Sequence, residues 1–239
     1  MGLLILNAGE IAHLDSSVPN TAISGSNMID RESNVSPSGL GILIENGKFR
    51  IISDSQSLQD EFAPDWDGNE TSYDHTIIDA KSCAIIPGLI DSHTHLIWSG
   101  DRSSEMRLRQ SGMTYRQISE RGGGIRHTVS STRALSIEDM VSIGLSRANE
   151  AARYGTCAME AKSGYGLDLE TEIRLLESAS LVSNNSDVSI FPTWLGAHDF
   201  PHELDRSDYI DDLLTNQLPE VAKQGIANWC DVFCEEGWY

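Results

Sequence analysis

The chain has 239 residues, 39% of them hydrophobic, which suffices for one large or two small globular domains with a buried core. Against 36 Asp and Glu stand 17 Lys and Arg, scattered singly or in pairs, and the formal charge is −19. Such a field repels nucleic acid and anionic membrane surfaces, so neither is an expected partner.

The first apolar run, "GLLIL" at Gly2–Leu6, has no leading positive cluster and no small-residue cleavage site, so it reads as a strand and not as a signal peptide. No stretch approaches the ~18 continuous apolar residues of a membrane span. The four cysteines, Cys83, Cys157, Cys230 and Cys234, form no CxxC and are expected to be small core residues. A reducing cytoplasm is the expected location.

Residues 1–82 alternate short β-like runs with turn chemistry: "GLLIL", "GILIENGKFRIIS" and "HTIIDAKSCAIIPG". Asn46-Gly47 predicts a hairpin, because a type I′ turn needs positive φ at both central positions. The Ser-, Asn- and Pro-rich stretch 15–39 has no sustained period and reads as a surface loop. Together these predict a small, β-sandwich-like N-terminal domain.

From Cys83 to Tyr239 the pattern becomes β/α, with strand-like segments at "CAIIPGLIDSHTH", "TCAMEAKSG", "VSIFPTWLGAH" and "WCDVFCEEG". Ser136 with Asp139 predicts a capped helix whose apolar face runs through Ile137, Met140, Val141, Leu145, Ala148 and Ala152. A second helix starts near Asp168, with acidic residues in its first turn. In a third, Pro219 either breaks the helix or opens a new one. "RGGGIRH" lacks the Lys-Ser/Thr of a phosphate-binding loop and reads as a tight turn.

Polar residues cluster after each predicted strand: His93 and His95, then Lys162 and Tyr165, then His198, then Glu235 and Glu236. A (β/α)8 barrel gathers all such loops over one mouth, whereas an open sheet collects them at a switch point. His93 and His95, two apart in an extended segment, project to one side and can share a zinc or iron(II) ion. Glu160 and Lys162 are likewise in phase, and read as a buried ion pair that supports the site.

"IIPGLIDSHTHLIWSGDR" resembles the first barrel strand of the amidohydrolase superfamily, with its Pro-Gly, Asp and HxH. "SGMTYRQISERGGGI", "MEAKSGYGLDLETEIRLL", "LGAHDFPHE" and "DVFCEEG" resemble, in that order, the imidazolonepropionases within it, over about residues 85–237. The resemblance implies the first half of a metal-dependent (β/α)8 TIM-like barrel after the small β-domain, reaching the fourth barrel strand. It implies a hydrolase of histidine degradation that opens a cyclic amide, 4-imidazolone-5-propanoate, to N-formimino-L-glutamate, using one divalent zinc or iron ion per subunit to activate water. It also implies a homodimer.

Carried over residue by residue, His93 and His95 match two metal ligands, and Arg102 matches an arginine that holds the substrate carboxylate. Tyr165 and His198 match substrate-contacting positions, as does Tyr115, for which a packed helical tyrosine is the competing reading. Glu235 falls where some superfamily members place a bridging metal ligand, and a mononuclear site would leave it in a supporting role. The family's third metal histidine, its proton-shuttling acid and its last metal-binding aspartate have no counterparts here. No catalytic set is complete, and the chain alone is expected to be inactive. The alternatives are another amidohydrolase substrate, of cytosine or dihydropyrimidine type, and a non-catalytic assembly module, which size in solution would reveal.

Overall fold

The structure, a computed structural model, describes residues 2–13, 23–69, 75–114, 117–118 and 121–235. It divides into two compact units, Met1–Pro87 and Gly88–Tyr239. No helix among the described residues is long and apolar enough to cross a membrane.

In the first unit β1 (Gly2–Leu6), β4 (Leu40–Glu45), β5 (Lys48–Asp54) and β6 (His75–Asp79) form a sheet of order β5-β4-β1-β6. β1 runs antiparallel to β4 and parallel to β6. Asn46 and Gly47, with φ of 52° and 73°, turn the chain from β4 into β5 as their sequence predicts. Within the stretch read as a loop, Asp30 caps a one-turn helix α1 (Arg31–Asn34), and β3 (Val35–Ser36) pairs with β2 (Ile11–Ala12). Helix α2 (Ser55–Phe62) was not anticipated. Asp54 caps it by accepting from the Ser57 N–H at 2.9 Å. Leu58 and Ala63 then cover Leu4, Leu6 and Leu43 on the sheet.

The second unit carries β7 (Leu89–Asp91), β8 (Thr156–Lys162), β9 (Ser189–Ala197) and β10 (Trp229–Val232), all parallel, in the order β10-β9-β8-β7. Spatial order equals chain order, without the reversal of a doubly wound sheet, and this is how a barrel wall is laid down. The intervening helices are α3 (Ser103–Gln110), α4 (Ile125–Arg133), α5 (Ile137–Arg153), α6 (Leu169–Asn184), α7 (Arg206–Asp212) and α8 (Leu218–Gln224). Ser136 caps α5 and Asp168 caps α6, each accepting from the N–H three residues on. Pro219 opens α8, after a π-helical turn at Leu213–Gln217 that continues from α7.

One core packs Met140 and Ala148 of α5 and Leu175, Ala179 and Val182 of α6 against Met159 and Ile190 of the sheet. At Gly144 a Cβ would lie 2.6 Å from Val182 Cγ2, so glycine there sets how closely α5 and α6 approach. Along β9, Ile190 turns to this core and Phe191 to the opposite face, where its ring lies 5.8 Å from that of Trp229.

Two expectations need correction. All four cysteines are exposed, not core residues. Cys230 lies on β10, the edge strand of the sheet, and Cys234 lies beyond that strand's end. The first barrel strand is also shorter than predicted and ends at Asp91, so His93 and His95 lie in the segment that leaves it.

Gly144→Val should lower the thermal midpoint of unfolding by several degrees, since overpacking a close helix contact costs ~1–3 kcal/mol. An unchanged midpoint in a calorimetric scan would show that α5 and α6 have room to spare at this position.

Candidate active site

His93 and His95 are placed by contacts on either side. The Thr94 carbonyl accepts from Lys162 N–H at 2.9 Å, extending the β7–β8 ladder past the end of β7. Leu96 and Ile97 are buried in the core, and Arg147 Nη1 donates to the Leu96 carbonyl at 2.9 Å. Asp91 turns its carboxylate toward the His93 N–H at 3.4 Å. His93 is exposed and lies within electrostatic range of His95, His198 and Asp231.

Three rings from three strand ends meet here. His95 stacks on His198 with centroids 4.7 Å apart, and Tyr165 lies 4.7 Å from His95 and 5.1 Å from His198. Burial, with the neighbouring His198 second, pushes the His95 imidazolium down to about 4, so the ring is neutral near pH 7. Burial also lowers His198. Its Nδ1 lies 2.8 Å from the Gly164 carbonyl, which can only accept, so Nδ1 carries the proton and Nε2 the lone pair.

Beneath the rings runs a charged strap. Lys162 Nζ donates to Glu160 Oε1 at 2.9 Å and to Asp231 Oδ2 at 2.6 Å, and Thr193 Oγ1 donates to Glu160 Oε1 at 2.7 Å. Burial works against the Lys162 charge, but the bonds to Asp231 and Glu160 outweigh it and raise the ammonium above its usual value. The sequence predicted the Glu160–Lys162 pair. Asp231 was missed, because register between β8 and β10 is not written in either segment.

Arg102 starts α3 and gives Nε and Nη2 to the two carboxylate oxygens of Glu105, at 3.0 and 2.9 Å. Glu105 also accepts from Gly124 N–H at 2.7 Å, so the glycine run wraps this carboxylate. The guanidinium bond holds the Glu105 carboxyl below its usual range. Glu235 is exposed beyond β10, while Tyr115 and Glu236 lie outside the described residues.

As a metal centre the arrangement is half complete. His95 is neutral and its Nδ1 is buried without a hydrogen-bond partner, which suits a nitrogen donor. Among the described residues, however, no group of three or more His, Cys, Asp or Glu is placed to hold an ion.

No family model matches the chain. The imidazolonepropionase of Pseudoalteromonas atlantica is 48% identical over 159 residues, which cover 66% of this chain and 39% of that protein. That of Geobacillus kaustophilus is 38% identical over 208 residues, covering 84% of this chain and 48% of the relative. The structure of 5-methylcytosine deaminase from Klebsiella pneumoniae superposes with a TM-score of 0.50 at 12% identity, over 98% of this chain and 51% of that one, a likeness that speaks to the fold alone.

The His95 environment has a consequence for stability. Between pH 6.5 and about 4 the unfolded imidazole holds a proton that the folded one lacks, so the metal-free chain should lose stability as pH falls through that window. Urea unfolding at pH 7 and pH 5 should show a smaller loss in His95→Gln than in the parent. Equal losses would mean that the ring is not held neutral.

The chain spans less than half the length of these curated relatives, and over the part it covers its sequence is similar to that of imidazolonepropionases.

Proposed function

We propose that this chain carries the substrate-binding groups and two metal-ligating histidines of an imidazolonepropionase, which opens 4-imidazolone-5-propanoate to N-formimino-L-glutamate in histidine degradation. Water is added across a ring C–N bond, its oxygen going to carbon and a proton to the departing nitrogen. The observation that supports this most is the meeting of His95, Tyr165 and His198 within 5.1 Å, three groups that come from well-separated parts of the chain.

Each group has a chemical task in this reading. Arg102, oriented by Glu105, supplies the guanidinium for the propanoate carboxylate. The Tyr165 hydroxyl donates to the ring carbonyl, and the His198 Nε2 lone pair accepts from a ring N–H. Tyr115 is a further substrate-contact candidate. His93 and His95 are two of the ligands of a zinc or iron(II) ion, whose remaining ligands lie outside the described residues. When bound, such an ion makes a hydroxide available near neutral pH. The aromatic rings shield the heterocycle from bulk water, and the Glu160–Lys162–Asp231 strap keeps the strand ends in register beneath it.

Titration calorimetry with 3-(imidazol-4-yl)propanoate should show binding that Arg102→Lys weakens ~10–100-fold, the worth of one charge-assisted hydrogen bond. 4-Ethylimidazole, which lacks the carboxylate, should bind far more weakly. Equal binding of the two compounds, or no effect of the substitution, would remove Arg102 from the site. With one equivalent of zinc or iron(II), loss of the imidazolone chromophore should be slight, because two protein ligands hold such an ion weakly. Turnover near that of a longer family member would show a complete site instead.

A further inference from the structure

The turn that leaves β8, from Ser163 to Asp168, carries Tyr165 and presents the Gly164 carbonyl to His198. Its backbone is held from both sides. Glu172, in the first turn of α6 and fully buried, accepts from Gly164 N–H at 3.1 Å with each oxygen, from Gly166 N–H at 2.8 Å and from Leu167 N–H at 3.1 Å. Arg133 donates to the Gly166 carbonyl at 2.7 Å and the Leu167 carbonyl at 3.2 Å. Gly164 has φ of +96°, and a Cβ there would lie 2.9 Å from His198 Cβ, so the peptide that bonds His198 has little freedom of its own.

A carboxylate is the side chain this turn requires, because three converging N–H groups need an acceptor with several lone pairs and no proton of its own. An amide would turn one NH2 toward the same donors. The bond from Glu172 to Gly164 N–H and the bond from His198 Nδ1 to Gly164 O are made by the same residue at its two ends. If the turn shifts, the carbonyl that fixes the His198 proton shifts with it.

We propose that Glu172 is a positioning residue that, through Gly164, holds His198 in the Nδ1–H tautomer and so leaves the lone pair on Nε2. This buried carboxylate therefore sets which hydrogen bond the site can offer a heterocycle, an acceptor and not a donor. The consequence for an imidazolone ring rests on the function proposed above, whereas the tautomer does not.

The test is the 15N shift pattern of the His198 ring nitrogens in the metal-free 239-residue chain, read together with the amide protons of Gly164, Gly166 and Leu167. In the parent, Nδ1 should be the protonated nitrogen and the three amide protons should be shifted downfield and slow to exchange. Glu172→Gln should lose that amide signature and give a mixture of His198 tautomers. Arg133→Ala, which removes bonds to the Gly166 and Leu167 carbonyls and none to Gly164, should leave the tautomer intact. A parent in which Nε2 carries the proton overturns the proposal, and this reading needs no variant to fold. Retention of Nδ1–H in a folded Glu172→Gln also overturns it, as does equal scrambling in Arg133→Ala. Should Glu172→Gln fail to melt cooperatively, Glu172→Asp, a shorter carboxylate, is read the same way. Failure of imidazole-propanoate binding with the tautomer intact would count against the proposed substrate and leave the role of Glu172 standing.

Discussion

The turn after β8 leaves the sheet inside the protein and not in water, so every backbone group on it must find a partner within the fold. An unmet buried N–H or carbonyl costs ~1–3 kcal/mol, and the Ser163–Asp168 turn presents several of both. The chain meets this with one anion and one cation: Glu172 takes the N–H groups and Arg133 the Gly166 and Leu167 carbonyls. Ser163 adds a third tie, its N–H donating to the Thr193 carbonyl and its hydroxyl accepting from Leu195 N–H at 2.9 Å. The Gly164 carbonyl of the same turn goes to His198 Nδ1, and the Ser163 backbone bonds the His95 ring.

Charge and neutrality are sorted by depth. The strap of Glu160, Lys162 and Asp231 links β8 to β10 across β9, with Thr193 of β9 joining it through its hydroxyl. A buried ion pair is weak support for stability as such, because desolvation offsets most of the attraction, but breaking it leaves an uncompensated charge at a cost of ~3–5 kcal/mol. A strap of this kind therefore specifies register more than it adds stability. Burial, with the neighbouring His198 second, pushes His95 down to about 4, so that ring is neutral near pH 7, and burial lowers His198 as well. Neutral imidazoles are the form that both a metal and a heterocycle can use.

What the sequence made legible was local. The caps at Ser136 and Asp168, the Asn46-Gly47 turn and the helix opened by Pro219 all follow from chemistry within a few residues, and each appears where read. Helix α2 was equally local, signalled by Asp54 before "SQSLQDEF", and was passed over in favour of the surrounding strand pattern. Long-range facts were illegible. The acidic first turn of α6 reads as dipole complement, yet Glu172 faces inward while Glu170 stays exposed, and only the path of the preceding turn decides between them. The pairing of Arg102 with Glu105 is a helix-start contact that spacing allows but does not require. The exposure of Cys230 reflects its place on an edge strand, which composition cannot show.

The same sorting of charge accounts for the acidic side chains around the rings. Glu160 and Asp231 are both committed to Lys162, which would be left as an unmatched buried cation if both turned elsewhere. Glu172 is committed to the turn and Glu105 to Arg102 and Gly124. Glu160, Asp231, Glu172 and Glu105 thus serve as structural anions.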